Sequence, residues 1–316
     1  MTDISEVINT VNDLIQREVY TQAAIAKEIG VADATLSAFR RGKYAGDNGR
    51  ITSALISWYE NWQKQCSLPE PPQFVVTKTV QELRALFQAV RLLGCINVVV
   101  GVPGVGKTFT AREYCSNPNT WMITLSPAQS SVTECLLELA EALGVLDLSS
   151  GKERYKTKGE LCRIIRQRLS GSKGLVIVDE ADHLGVDGLE QLRAIQDATG
   201  VGMVLIGNPK GLSKAAGNNK DDLARLFSRI ARAKRLTRVK KADVDAIAEQ
   251  WGIKGENELK LVHAIAEKPG ALRVLTHTLK QAWITASGEG SPLTEGHIKA
   301  AFKEVYSSPE TLSMQV

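Results

Sequence analysis

Apolar residues recur at intervals of three and four along the first part of the chain and again along the last part. The repeat passes through Val7 and Val11 in residues 1–66, and it returns at Val244 in residues 241–316. Such spacing places apolar side chains on one face of a helix. The pattern therefore predicts an all-helical domain at each end of the chain.

Between these parts, short apolar runs alternate with amphipathic stretches. The runs are rich in β-branched residues, and they occupy residues 97–100, 121–125, 174–178, 201–206 and, with more basic character, 233–238. Strands that are apolar on both faces and separated by helices are typical of a mainly parallel sheet covered by helices. We therefore predict an α/β core at 77–240. The prolines around Glu70 predict an extended linker at 67–76.

Charge and cysteine content narrow the class of protein only slightly. A net charge of +4 is too small to indicate a polyanionic partner by itself. The five cysteines include no C-x-x-C pair and are odd in number, which favours a reducing cytoplasm. No apolar stretch approaches the length of a membrane span, and the N-terminus lacks a secretion-signal pattern. We therefore expect a cytoplasmic protein with no membrane partner.

The segment GVPGVGKT carries the strongest chemical signal. It matches G-x-x-x-x-G-K-[ST] in full, between an apolar strand and a predicted helix. Backbone N–H groups of such a loop surround phosphates, its lysine reaches the β- and γ-phosphates of ATP, and its Thr hydroxyl binds Mg²⁺. The predicted nucleotide-binding residues are Gly101, Val102, Pro103, Gly104, Val105, Gly106, Lys107 and Thr108.

Two later strands end in polar residues that fit the same site. The strand at 175–179 ends in Asp179 and Glu180, which we predict to hold the metal and to polarise the attacking water, respectively. Asn208 follows the next strand, at the edge of an open sheet where ligands bind, and is placed to orient that water. The extra strand at 121–125 is typical of ATPases with a catalytic glutamate.

Three arginines complete the predicted site. Arg225 and Arg229 lie four residues apart on a predicted helix at 223–230, where either is a candidate arginine finger acting on a neighbouring subunit. A solvated basic face is the alternative interpretation. Arg273 follows a Pro-Gly turn and is placed to meet the phosphates from a helical lid. Together these features resemble an AAA+ module that uses ATP and Mg²⁺.

The N-terminal part carries a second pattern, at residues 22–42. A small residue, Ala26, precedes Gly30 by four positions, Leu36 follows at core spacing, and Gly42 ends the second predicted helix. This layout resembles the helix-turn-helix of phage repressors. The residues predicted to meet DNA bases or phosphates are Thr35, Ser37, Arg40, Arg41 and Lys43. A helix-turn-helix used for protein contacts is the alternative.

Basic residues are concentrated in two further clusters. Residues 152–168 contain seven Lys or Arg against two Glu, a net of +5, and residues 210–241 contain eleven against two Asp, a net of +9. Such clusters favour binding to DNA phosphates without regard to sequence. A solvated surface explains part of either cluster. The DNA-contacting residues predicted from the first are Lys152, Arg154, Lys156 and Lys158.

The order of these motifs resembles the MuB family of phage Mu-type transposition proteins. The chain has GVPGVGKT, VIVDEADHLG, LIGN, ARLFSRI and KPGALR in that order after the helix-turn-helix and GDNGR. The resemblance implies ATP-dependent and largely sequence-independent binding to double-stranded DNA, a helical homo-oligomer on that DNA, and activation of a transposase. It also implies DNA-stimulated ATP hydrolysis in the cytoplasm of a host cell.

Three other interpretations remain open on sequence alone. A helicase loader or the ATPase of another transposon would share every nucleotide-site residue. A nucleotide-switched transcription regulator would bind one operator as a dimer, with strong dependence on sequence and half-site spacing. A protein that uses ATP only as a structural ligand would not hydrolyse it.

Overall fold

The described part of the chain falls into two compact units. They lie within Met1–Glu70 and Pro71–Val316. A computed structural model describes residues 4–67, 72, 74–147, 156–208 and 230–306. None of the helices in those ranges is long and apolar enough to cross a membrane.

The first unit is a bundle of short helices. Its elements are α1 (Ile4–Gln16), α2 (Gln22–Glu28), α3 (Asp33–Arg40) and α4 (Asn48–Ser67). The predicted apolar positions form its core, since Val7, Val11 and Leu36 are fully buried. The chain turns between α2 and α3 at Gly30, whose φ of 70° suits glycine because it has no Cβ. The two helices therefore occur where the helix-turn-helix pattern predicts them.

The second unit contains a sheet, the helices that cover it, and a group of C-terminal helices. The first elements are α5 (Lys78–Leu93), β1 (Ile96–Gly101), α6 (Lys107–Tyr114), β2 (Thr120–Thr124), α7 (Val132–Ala142), α8 (Lys158–Leu169) and β3 (Leu175–Asp179). The remainder are α9 (Val186–Thr199), β4 (Gly202–Gly207), β5 (Ile230–Leu236), α10 (Lys241–Gln250), α11 (Glu256–Ala266), α12 (Ala271–Gly288) and α13 (Glu295–Val305). Single 3-10 turns lie at Pro127–Gln129 and Ala181–His183.

All five strands are parallel, in the order β2-β3-β4-β1-β5, which confirms the predicted α/β class. In the sheet, β4 lies between β1 and β3. Strand β2 lies between β1 and β3 in the sequence, but it is at the edge of the sheet. Val100 pairs with Gly207 and Val178 with Leu205. The carboxyl ends of β1, β3 and β4 are therefore neighbours at one edge of the sheet, where each of the predicted polar residues follows its strand.

Strand β5 begins earlier than the sequence pattern indicates. We predicted it at 233–238, and the structure places it at Ile230–Leu236, paired along the whole of β1. Ile230 was also predicted to end the helix at 223–230, and that part of the prediction is wrong because the residue pairs with Ile96. Hydrogen bonds to β1 set the limits of this strand, and a local pattern cannot contain them. Residues 223–229 lie outside the described residues.

Each face of the sheet has its own hydrophobic core. Residues of α7, α8 and α9, such as Leu139 and Ile165, pack on one face. Residues of α5 and α6, such as Phe87 and Ala111, pack on the other. The helices α10 to α13 share a third cluster, against which Val75 also packs. The phosphate-binding loop therefore extends from a strand that is held on both faces.

Candidate nucleotide-binding site

The loop between β1 and α6 has the geometry that its sequence predicts. Gly104 and Gly106 adopt φ values of 81° and 93°, which are readily accessible only to glycine. The backbone at Gly104 also passes so close to the chain that an added Cβ would lie 1.9 Å from the carbonyl oxygen of Gly270. The first turn of α6 then begins at Lys107 without a side-chain cap, so its N–H groups face the space above the loop.

The ammonium group of Lys107 lies inside this loop. Its Nζ donates to the carbonyl oxygens of Gly101, at 2.7 Å, and Val102, at 3.1 Å. Burial lowers the pKa of this lysine, and the nearby carboxylates of Glu180 and Asp179 oppose that shift. The loop thus holds a cation at the place where the β- and γ-phosphates of a nucleotide would bind.

The end of β3 supplies two carboxylates with different surroundings. Asp179 is 1% exposed, and its Oδ2 is buried with no hydrogen-bond partner among the described residues. A buried carboxylate oxygen without a partner is costly, and a bound cation would satisfy it. The side chains of Asp179 and Thr108 therefore fit the predicted metal site. Burial, followed by the charges of Asp179 and Asp182, raises the pKa of Glu180.

The backbone around Glu180 is also unusual. Its φ of 54° lies in the left-handed region, which is unfavourable for any residue that has a Cβ. Such strained conformations are often found at functional sites. Two residues later, Asp182 accepts a hydrogen bond of 3.1 Å from the backbone N–H of Asn208 at the end of β4. This bond connects the ends of β3 and β4, so Asn208 is placed beside the two acids.

A single cavity of about 630 Å³ brings most of the predicted residues together. From the earlier motifs it includes Gly101, Pro103, Gly104, Val105, Gly106, Lys107, Thr108, Asp179, Glu180, Asn208 and Arg273. Its volume is in the range of small-molecule and cofactor sites. The backbone of Val102, outside this lining, serves the site by accepting from Lys107. Arg273 reaches the cavity from α12, so a C-terminal helix forms one wall.

The sequence patterns did not predict the other walls of this cavity. Three residues of α12, Thr276, His277 and Lys280, share one helix face with Arg273. The spacing of three and four from Arg273 was the signal that could have identified them. An apolar wall is formed by Val75, Ile247 and Trp251. Local sequence contains no signal for that wall, because its members come from separate elements.

The predicted DNA-binding residues have varied surroundings. Arg41 and Lys43 are exposed after α3, while Thr35 and Ser37 are partly exposed. Arg40 instead donates from Nε to Asn12 at 2.8 Å and from one terminal nitrogen to Gln22 at 2.6 Å, and burial lowers its pKa. Its guanidinium is thus engaged by two side chains of the first unit.

Two of the six remaining predicted DNA-binding or arginine-finger residues lie within the described part of the chain. Lys158 is exposed at the start of α8, and Lys156 is partly exposed just before it. The others, Lys152, Arg154, Arg225 and Arg229, lie outside the described residues.

Two family models match the chain. Residues 228–305 match the C-terminal domain of the Mu B transposition protein, and residues 94–215 match an AAA domain. The ATP-dependent target DNA activator B proteins of Escherichia phages D108 and Mu are each 46% identical over 305 residues, covering 96% of both chains. The Mu-like prophage FluMu DNA transposition protein B of Haemophilus influenzae is 36% identical, over 86% of this chain and 94% of its own.

Solved structures support the fold. The ORC2 protein of Aeropyrum pernix superimposes with a TM-score of 0.56 at 17% identity, covering 78% of this chain and 72% of that chain. A Walker-type ATPase of Pyrococcus abyssi gives a TM-score of 0.54 at 16% identity, covering 74% and 73%. Because 46% identity extends over nearly the whole length of the phage relatives, this chain belongs to the MuB family of transposition proteins, as its motifs predicted.

Proposed function

We propose that this protein is an ATP-dependent DNA-binding ATPase that oligomerises on target DNA and activates a transposase. The observation that carries the proposal is the single cavity in which seven of the eight residues of the phosphate-binding loop, two acids and Arg273 meet. The relatives that match over 96% of their length are named ATP-dependent target DNA activators, and that name agrees with a nucleotide-controlled DNA-binding role.

Each part of the cavity has a distinct task in this proposal. The backbone of the loop and Lys107 bind the phosphates of ATP, and the close approach of Gly104 to Gly270 keeps the C-terminal helices near them. Thr108 and Asp179 would hold Mg²⁺, which supplies positive charge to the phosphates when bound. Glu180 polarises the attacking water, and Asn208 helps to orient it.

The contact between loop and lid explains how nucleotide can alter another part of the protein. Leu272 donates from its backbone N–H to the carbonyl oxygen of Gly104 at 3.1 Å, one residue before Arg273. Nucleotide can favour one arrangement of the C-terminal helices only by binding it more tightly than others. A nucleotide that contacts both Gly104 and Arg273 touches the loop and α12 at once. It would therefore bind most tightly to the arrangement in which these two are held together.

Exposed basic residues supply the proposed DNA contacts. Arg41 and Lys43 follow α3, and Lys158 begins α8 in the cluster with a net charge of +5. Contacts to phosphates give binding that depends steeply on salt and little on sequence. In the proposed oligomer, Arg225 or Arg229 would complete the site of the adjacent subunit as an arginine finger.

The deciding experiment measures binding to unrelated DNA duplexes with ATP, with ADP and without nucleotide across a salt series, with electron microscopy of the same samples. We expect ATP-dependent, sequence-independent binding and filaments. The variant Lys107→Ala should lose the response to ATP, whereas Glu180→Gln should keep it and stop turnover. Binding of one sequence by a discrete dimer, whatever the nucleotide, would instead support the transcription-regulator interpretation.

A further inference from the structure

Two phenylalanines from distant parts of the second unit stack beside the nucleotide cavity. Their ring centroids are 5.1 Å apart and their planes differ by 19°. Phe74 lies in segment 74–77, ahead of α5, and Phe109 immediately follows the Lys-Thr pair of the phosphate-binding loop. Phe109 is 54% exposed and belongs to the lining of the cavity.

An arginine on α5 holds the Phe74 ring from another direction. The guanidinium carbon of Arg84 lies 5.2 Å from the centroid of that ring, within the range of a cation–π contact. Arg84 also pairs with Glu113 of α6, with Nε 3.0 Å from Oε2. Glu113 is one turn beyond Phe109 on the same helix. The ring of Phe74 is therefore held by groups that belong to α5 and α6.

The segment that carries Phe74 also forms part of the cavity wall. Val75 and Thr77 line the cavity, as does Pro72 just before the segment. The segment is neither helix nor strand, so side-chain contacts have a large part in setting its position. Val75 packs against the cluster of the C-terminal helices, and Thr77 caps α5 by accepting from Val80. Phe74 supplies the contact with the helix that follows the phosphate-binding loop.

We propose that the Phe74–Phe109 pair is a latch that holds segment 74–77 against the nucleotide cavity and thereby sets the affinity for ATP and ADP. This inference rests on the proposed function of the cavity as an ATP site. Phe74 is a positioning residue, since it lies outside the cavity lining and acts through the wall that Val75 and Thr77 form, whereas Phe109 also lines the cavity itself. Without the latch the wall would be free to move away, so nucleotide would bind more weakly while the catalytic groups stay in place.

The expected loss of nucleotide affinity can be estimated from the strength of the Phe74–Phe109 stack. An aromatic pair contributes enough beyond its buried area to change an equilibrium by a factor of roughly two to ten. We therefore expect Phe74→Ala, which removes the stack without changing a lining residue, and Phe109→Ala each to weaken the binding of ATP and ADP by about three- to tenfold. The kcat at saturating ATP should stay within about twofold of the wild type, because substrate binding and not the chemical step is affected.

The test compares matched variants of the full-length protein in titrations with a fluorescent ATP analogue, with unlabelled ATP and ADP as competitors. Phe109→Tyr keeps the stack and should bind like the wild type. Phe302→Ala is the control, since Phe302 stacks on Tyr306 in the same way, with centroids 5.0 Å apart, but outside the cavity lining. Chymotrypsin should cleave after Phe74 faster in Phe109→Ala than in the wild type.

The outcomes separate the latch from the proposed function. If the wild type binds ATP and Phe74→Ala binds it equally well, the latch is wrong while the ATP site stands, even if Phe109→Ala binds ATP more weakly. An equal loss in Phe302→Ala would also overturn the latch, because the effect would then be general destabilisation. If the wild type binds neither ATP nor ADP, the proposed function itself fails and the latch fails with it.

Discussion

The backbone N–H of Leu272 donates a hydrogen bond of 3.1 Å to the carbonyl oxygen of Gly104. This bond joins the start of α12 to the middle of the phosphate-binding loop. Beside it, the carbonyl oxygen of Gly270 occupies the space that a Cβ on Gly104 would need. The loop and the C-terminal helices therefore meet through backbone atoms, and the nucleotide cavity forms at that meeting.

This close approach predicts the effect of Gly104→Ala. The new Cβ would lie 1.9 Å from the oxygen of Gly270, and the φ of 81° is strained for alanine. We expect the free energy of unfolding to fall by about 1–3 kcal/mol and ATP affinity to fall by roughly tenfold or more. Chemical denaturation and nucleotide titration measure the two effects.

The control for that variant is Gly171→Ala. Gly171 has a similar φ of 71°, but no atom lies within 4 Å of an added Cβ. The variant Gly171→Ala should lower the free energy of unfolding by about 1 kcal/mol through backbone strain alone and leave ATP binding unchanged. Equal effects of the two substitutions on ATP binding would contradict the role given to the contact with Gly270.

The position of Glu180 predicts a separation of binding from turnover. The variant Glu180→Gln keeps the shape of the side chain but removes the base, so ATP hydrolysis should fall by about a hundredfold or more. ATP binding and ATP-dependent DNA binding should remain. Asp187→Asn, an exposed change on α9, is the matched control and should hydrolyse ATP normally. Normal turnover in Glu180→Gln would favour a purely structural nucleotide.

Substitutions of two neighbouring arginines in the first unit, Arg40 and Arg41, should have different effects on stability and on DNA binding. Arg40→Ala leaves Asn12 and Gln22 without their donor, so the unit should lose about 1–3 kcal/mol of stability. Arg41→Ala removes an exposed charge, so stability should hold while the slope of log affinity for DNA against log salt falls by about one. Thermal unfolding and a salt series test this pair. Should Arg41→Ala leave the slope unaltered, the helix-turn-helix would be better explained as a protein-contact surface.

A carboxylate on α5 that pairs with the edge strand β5 predicts a pH-dependent contribution to stability. Glu82 lies 2.7 Å from Nζ of Lys234 and also pairs with Lys240, and its hydrogen bonds to these lysines lower its pKa from 4.5 to about 2. A lowered pKa in the folded state gives stability that is present above pH 4.5 and is lost as the pH falls toward about 2. We expect Glu82→Gln to cost about 1 kcal/mol at pH 7.

Denaturation of both proteins across the pH range checks this prediction. The difference between wild type and Glu82→Gln should shrink below pH 4.5 and vanish near pH 2. A difference that is constant with pH would mean that the carboxylate charge contributes nothing to the interaction.

The sequence by itself determined the class of the fold and predicted the chemistry of the candidate nucleotide site. A phosphate-binding loop depends on the conformations of eight consecutive residues, and an acid at a strand end depends on the strand before it. Both signals are local, so Gly101 to Thr108, Asp179 and Glu180 could be predicted as residues of that site without coordinates. Apolar periodicity likewise predicted the helical parts and the parallel sheet, because burial repeats along each element.

Only the tertiary structure decided which distant residues meet. It placed β4 between β1 and β3, brought Leu272 to Gly104, stacked Phe74 on Phe109 and turned Arg40 inward to Asn12. None of these contacts has a local signature, because each depends on how whole elements pack and on the hydrogen bonds between strands. Local sequence specifies the conformation of neighbouring residues, whereas the walls of the cavity are specified by the packing free energy of the folded unit.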